Sequence, residues 1–457
     1  MEKKSVETNG MVKSVGIVTA MFTVVGTIIG GGVFFKPQAI YASTGGAPGL
    51  GIIGWIVAGI ITLCAGLTVA ELASTIPKTG GMIVYIREIY GEKLGFLAGW
   101  VQVFLYFPGM IAALSVIFAE QFVILTGMTW MKMPLVIGLI AFVSAFNLLG
   151  SKQVSYLGNV ATVCKVTVLV VIIIAGFALG KGGNPIVKPF VGKDVNPLIA
   201  GGEVLLAIFY SFDGWINVCA LAGEMKDPAK DLAKAMVGGL MIVMSIFIII
   251  NVAYLRVLPA STLAHTPAVA QTVISTIVGD FGGRVVGVGI MVSVFGCVTA
   301  YSFTGSRVLY ALAEENILPK SEKLTELNKN MVPHNSILLM SIIAAVYALS
   351  GQFNLLTDFA IFSIWIFIVL TFIAVFKNRK MKDVKTFGYK IPLYPVVPVI
   401  AIVGGLFVLA VQLISSTALS LGSIAILLVG IPVYDLKKKK LKLQEEMEKV
   451  DNVEETI

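Results

Sequence analysis

Twelve apolar runs divide this 457-residue chain, at approximately 15–40, 49–76, 95–126, 134–150, 154–180, 200–222, 235–258, 284–313, 335–350, 355–376, 391–412 and 418–434. A helix needs about 20 residues to cross the hydrocarbon core of a bilayer. Only 13% of the residues are charged and 57% are hydrophobic, with a mean hydropathy of +0.91. A soluble protein carries about twice that charge fraction. The chain is therefore expected to be an all-α integral membrane protein of twelve spans, with the lipid bilayer as its surroundings. Polar, lysine-bearing residues precede the first run, but no small-residue cleavage site follows a short apolar core. It reads as a retained span and not a signal peptide.

Basic residues orient the spans, because Lys and Arg are retained on the cytoplasmic side. With the N-terminus inside, 26 of the 34 Lys and Arg fall on the inner side and 7 on the outer, one of them after span 1. The remaining one, Lys165, lies within span 5. Both termini are expected in the cytoplasm, with 1–14 and 435–457 as solvated tails. The net charge of +8 is thus a topology signal, and nothing else favours a nucleic-acid partner.

Enzyme chemistry finds no foothold. Cys64, Cys164, Cys219 and Cys297 all fall within spans, with no disulfide framework or metal-binding spacing. His265 and His334 lie in loops without partner patterns. No GxSxG, HExxH or phosphate-cradling GxxxxGK[ST] motif is present. Neither a catalytic residue, a metal nor a cofactor is expected, which argues against a membrane enzyme and an ATP-driven pump.

Two spans are interrupted. "VVGTIIGGGVF", residues 24–34, holds four glycines, three of them consecutive at Gly30, Gly31 and Gly32. Each glycine costs a helix roughly 1 kcal/mol relative to alanine. Non-helical backbone is tolerated at membrane depth where it is buried in protein or lines a cavity. In span 6, "AIFYSFDGWINV", residues 207–218, places Asp213 and Gly214 midway along an apolar run, flanked by Tyr210, Phe212 and Trp215. A mid-span carboxylate is costly unless it faces a cavity or a partner. Five spans separate the breaks, so the two run in opposite directions. Paired breaks in oppositely oriented halves point to an inverted-repeat secondary transporter. Spans 1–5 (15–180) and 6–10 (200–376) would be the repeats, followed by spans 11 and 12 (391–434).

These motifs carry a resemblance. "GTIIGGGVF" is similar to the span 1 break of the amino acid–polyamine–organocation superfamily. "ELASTIPKTGGMIVYIREIYG" (71–91) resembles the signature after span 2, and "FDGWINVCALAGEMKDPAKDLAKA" the span 6 break and its follow-on. "GSRVLYALAEENILP" (305–319) resembles the end of span 8. Within the superfamily the chain most resembles the L-amino acid transporter family, and there the bacterial alanine–serine–cysteine exchangers. The fold implied is the leucine-transporter type, a five-plus-five inverted repeat.

The function implied is sodium-independent exchange of small neutral L-amino acids: alanine, serine and cysteine, with threonine and glycine as further candidates. A half-helix starting after the glycines offers free N–H groups and a positive dipole end to a carboxylate. Helix ends at the two breaks offer unpaired carbonyls to an ammonium. By resemblance, Gly31 and Gly32 meet the carboxylate, and the carbonyls of Ile28, Tyr210 and Asp213 meet the amine. Thr27, Gly30, Gly214 and Trp215 complete the substrate site, with Tyr210 as the gating aromatic. The family often has serine where this chain has Gly31, so a hydroxyl donor is absent.

Lys165 stands where sodium-coupled relatives hold an ion between spans 1, 5 and 8, and is expected to take its place. Cys297 and Thr299 of span 8 approach the same region. The eukaryotic members use a loop cysteine after span 3 to join a heavy subunit. "LTGMTWMKMP" has none, so no disulfide-linked heavy subunit is expected, and a bacterial plasma membrane is. A proton-coupled symporter titrating Lys165 or Asp213 is the alternative, and an amino acid-sensing receptor is the alternative of a different class.

Overall fold

The structure, a computed structural model, describes residues 16–76, 78, 80–225, 228–384 and 387–454. The tail 1–14 lies outside the described residues, as do Pro77 and Thr79 of the signature after span 2 and Lys226 and Asp227 of the segment after span 6.

The twelve apolar runs become helices in chain order, and no strand occurs among the described residues. Span 1 is Ile17–Ile28 followed by Gly32–Ser43, bent by 49° at the break. Spans 2, 3, 4 and 5 are Pro48–Thr75, Glu92–Thr126, Lys132–Asn147 and Ser151–Leu179. Span 6 begins as Pro197–Ser211, and spans 7 and 8 are Pro228–Val257 and Asp280–Glu314. Spans 9 to 12 are His334–Ala348, Phe353–Met381, Val396–Ser415 and Thr417–Glu454. Among the described residues, nine helices are long and apolar enough to cross a membrane, and the bent pair makes a tenth. Pro197–Ser211 and His334–Ala348 are shorter apolar helices.

Three features depart from the simple pattern of runs. Span 12 does not end with its apolar residues: the helix carries on through the basic and acidic segment to Glu454. Short helices Ala260–Leu263 and Val269–Val278 fill the connection between spans 7 and 8. Span 3 changes to π-helix over Gln102–Tyr106. Pro108 follows within one turn, and its missing N–H withdraws a helical donor from Phe104. Tyr347 of span 9 supplies the replacement, its hydroxyl donating to the Phe104 carbonyl at 2.8 Å.

Span 2 packs along span 7, and the first half of span 1 also lies on span 7. Span 3 is the central post, packed against spans 8, 9 and 10. Its flanks are buried almost continuously from Gly95 to Ala119. Spans 2 and 10 are joined by a buried ion pair. Arg379 donates from Nε and Nη2 to the two oxygens of Glu71 at 2.7 and 2.6 Å, and the Ile391 amide adds a third bond at 2.7 Å. Glu71 is fully buried. A charge removed from water needs partners of this quality to be tolerated.

Candidate functional site

The site is the place where the two broken spans meet. The first half of span 1 stops at Ile28 because Ile29 turns to extended backbone (φ −65°, ψ 101°). The last four carbonyls of a helix lack intrahelical donors. Here Val25 accepts from the Ile29 amide at 3.0 Å and Gly26 from Lys165 Nζ at 2.5 Å. Thr27 and Ile28 are the two carbonyls without such a partner among the described residues. The second half starts at Gly32; the Phe34 and Phe35 amides bond back to the Gly31 carbonyl at 3.1 and 3.2 Å, which leaves the Gly32 and Val33 amides without intrahelical acceptors.

Span 6 stops at Ser211. The Phe212 amide bonds back to Ile208, and the Asp213 amide bonds to the Tyr210 carbonyl at 3.2 Å. The Tyr210 carbonyl, expected to be unpaired, is therefore partly satisfied within its own turn. Gly214 then takes φ +98°, a conformation that favours glycine. A Cβ there would lie 2.8 Å from the Thr27 carbonyl oxygen. The two breaks touch at this point. Beyond it the chain runs as a 3₁₀ helix over Trp215–Glu224, and Trp215 is buried.

The three consecutive glycines have different reasons. A Cβ on Gly32 would lie 2.6 Å from the Ser211 Cα, so Gly32 is required by the packing of span 1 on span 6. A Cβ on Gly30 would meet nothing closer than Cys297 Sγ at 3.5 Å, and one on Gly31 nothing closer than Leu114 Cδ2 at 3.4 Å. Gly31 also has ordinary helical angles. Packing does not demand glycine there: a Cβ would meet Leu114, Tyr210 and Phe35, which line the space beside it, at ordinary contact distances of 3.4 to 3.8 Å.

Tyr210 borders that space, its hydroxyl 3.7 Å from the position of a Gly31 Cβ. Its ring stands edge-on to Phe353 of span 10 at 5.6 Å. Above both rings sits Lys36, with Nζ 5.1 Å from the Tyr210 centroid and 5.2 Å from that of Phe353. The basic residue counted after span 1 is this lysine, and the structure corrects its placement. Lys36 lies inside the second half-helix of span 1 and is 1% exposed. Its Nζ donates to Thr357 Oγ1 at 2.7 Å, Asn354 Oδ1 at 3.1 Å and Asp358 Oδ1 at 3.3 Å, all on span 10.

The Asp213 side chain has partners that sequence reading missed. Tyr301 of span 8 donates its hydroxyl to Asp213 Oδ2 at 2.7 Å, and Tyr106 of span 3 donates to the same oxygen. Lys165 reaches span 1 through Gly26, and Cys297 lies against the same break, its sulfur 3.5 Å from the position of a Gly30 Cβ. Thr299 is not brought into that contact: its hydroxyl bonds to Phe295 within its own helix at 2.9 Å. Thr27 also turns its hydroxyl inward, onto Thr23 and Val24, so its carbonyl is the group nearest Gly214. Among the described residues no cluster of His, Cys, Asp and Glu gathers as a metal site.

Comparison with known proteins sets this geometry in context. The profile of the amino acid permease family matches residues 15–433. The chain is similar to the serine/threonine exchanger SteT of Bacillus subtilis (strain 168), 39% identical over 440 residues, covering 95% of this chain and 99% of that protein. It is 28% identical over 428 residues to the b(0,+)-type amino acid transporter 1 of Mus musculus, covering 90% and 85%. It is 28% identical over 437 residues to the cystine/glutamate transporter of Homo sapiens, covering 93% and 85%.

Proposed function

The chain belongs to the amino acid permease family, a family of membrane transporters, and from that premise we propose that it is a sodium-independent exchanger of small neutral L-amino acids working by alternating access. The contact of the two breaks, with Gly214 seated against the Thr27 carbonyl, is the observation that carries this reading. Free amides at the start of the second half of span 1 suit a carboxylate. The Thr27 and Ile28 carbonyls, one short gap away along the chain, suit an ammonium. Gly31 and Gly32 would meet the carboxylate, and Ile28 and Asp213 the amine. An α-amino acid carries both groups on adjacent atoms and would bridge the breaks. Tyr210, beside Gly31, limits the side chain to a small one.

Lys165 supports the sodium-independent part. Its ammonium binds a carbonyl at the end of the first half-helix, as a bound cation would, and a fixed charge cannot be carried across. The similarity to a serine/threonine exchanger favours exchange over net uptake. The excess of basic residues on one side supports a cytoplasmic position for both termini. The loop between spans 3 and 4 has no cysteine for a disulfide-linked heavy subunit.

Reconstituted liposomes test the proposal. Labelled alanine should enter vesicles preloaded with alanine, serine or cysteine far faster than empty ones, without a sodium or proton gradient. Uptake driven by a pH gradient into empty vesicles would favour the proton-coupled symporter instead. No transport of any amino acid would reject the reading.

A further inference from the structure

We infer that Tyr106 and Tyr301 set the charge preference of the substrate site by occupying the Asp213 carboxylate, a specificity role that rests on the proposed reading of the two breaks as that site. Asp213 lies in the span 6 break itself, one residue before the glycine that touches Thr27. Asp213 is 9% exposed. A carboxylate in such surroundings requires hydrogen-bond partners. Both partners are neutral phenols, each delivered by a different span to the same oxygen, Oδ2. No lysine, arginine or histidine is bonded to this carboxylate among the described residues.

The placement of the two phenols is specific. Tyr106 is the last residue of the π-helical stretch in span 3. Short π segments are rare and occur often at functional sites. Tyr301 lies one turn after Cys297 on span 8, so the two share a helix face. Cys297 borders Gly30 of the span 1 break, which puts Tyr301 beside the same space. The rings of Tyr106 and Tyr301 meet edge-to-face at 6.0 Å.

A bare carboxylate at this position would pair with a second ammonium on a substrate, and the site would accept lysine or ornithine. With both hydroxyls on Oδ2, the carboxylate can meet a basic side chain only through Oδ1, a single contact that does not recover the cost of dehydrating the ammonium. Neutral side chains make no such demand. The tyrosines therefore act against cationic substrates while leaving the zwitterionic head groups to the backbone.

Two double variants test this. Tyr106→Phe with Tyr301→Phe removes both hydroxyls and keeps the rings; Tyr106→Phe with Tyr301→Ser also opens space. Thermal stabilisation of the purified protein by alanine and by lysine reads binding apart from turnover, and competition of lysine with alanine exchange reads transport. At least one variant should bind lysine about tenfold more tightly than wild type, a change of about 1.4 kcal/mol, while still binding alanine. Adding Asp213→Asn should abolish that gain. The inference is overturned if lysine gains less than about twofold in both variants, or if the gain survives Asp213→Asn. Loss of alanine binding in both variants also overturns it, since the hydroxyls would then hold the break together without selecting among substrates. A wild-type protein that neither binds nor exchanges alanine would instead refute the proposed function.

Discussion

Lys165 Nζ lies 2.5 Å from the Gly26 carbonyl oxygen, so a side chain of span 5 caps the end of the first half-helix of span 1. A cation at a helix C-terminus is favourable both as a donor and against the dipole. It also ties together two elements that alternating access must move relative to each other. Lys165→Ala leaves that carbonyl without its donor, at about 1–3 kcal/mol if water does not replace it. Because 1.4 kcal/mol is a factor of about ten in rate, turnover should fall by about fivefold to 150-fold. Alanine should still stabilise the purified variant, since the amine contacts a helix end and not the proposed ligand. Loss of binding would move Lys165 into the substrate site, and normal turnover would make it a bystander.

Adjacent glycines should answer differently to substitution. Gly31→Ser places its Cβ in space with no atom nearer than 3.4 Å, so the protein should keep its thermal midpoint. Gly31→Val, with two methyl groups in the same space, should remain folded and lose alanine binding. Gly32→Ala drives a Cβ to within 2.6 Å of the Ser211 backbone and should lower the thermal midpoint itself. Melting curves with and without alanine separate these outcomes, and equal behaviour of Gly31→Ser and Gly32→Ala would contradict the packing argument.

Exchange should be insensitive to replacement of sodium by potassium or choline. The test is the initial rate of labelled alanine entry into preloaded liposomes. A strict dependence on external sodium, with robust uptake into empty vesicles, would show that Lys165 does not stand in for an ion.

The Glu71–Arg379 pair should behave as a buried pair. Glu71→Gln leaves the Arg379 guanidinium without its counter-charge and should destabilise the protein by about 3–5 kcal/mol. Replacing both residues with methionine should recover part of that loss, because well-packed apolar side chains substitute for a buried ion pair at little cost, while the Ile391 amide is left without its acceptor. Denaturation of the purified variants measures both. A single variant as stable as the double would mean that water reaches the pair.

The helices and the span 1 break could be read from the sequence because their signals are local. Apolar runs and consecutive glycines act within a turn or two of chain. Gly214 was readable for the same reason, next to a charge in an apolar run. The partners of Asp213 were not, since Tyr106 and Tyr301 lie 107 and 88 residues away and an aromatic in a span usually denotes packing. The π-helical stretch was likewise hidden, because it follows from Pro108 and a hydroxyl of span 9 acting together. Lys36 was assigned to the loop after span 1 because it sits near the end of an apolar run, where a lysine normally reaches water.

The acceptors for Lys36 are made late. Thr357 and Asp358 are encoded 321 and 322 residues after the lysine. At 5–20 residues per second, a ribosome takes roughly 16 to 64 seconds to reach them. Throughout that interval the first span must sit in the membrane with an ammonium that has no protein partner. A long aliphatic stem lets the charge rest at the lipid headgroups until span 10 arrives. The lysine then has to be drawn inward as the second half of span 1 docks on the newly inserted helix. Completion of the fold is thereby coupled to the tenth span, and chains truncated before residue 357 should retain a first span whose lysine remains open to water-soluble amine reagents.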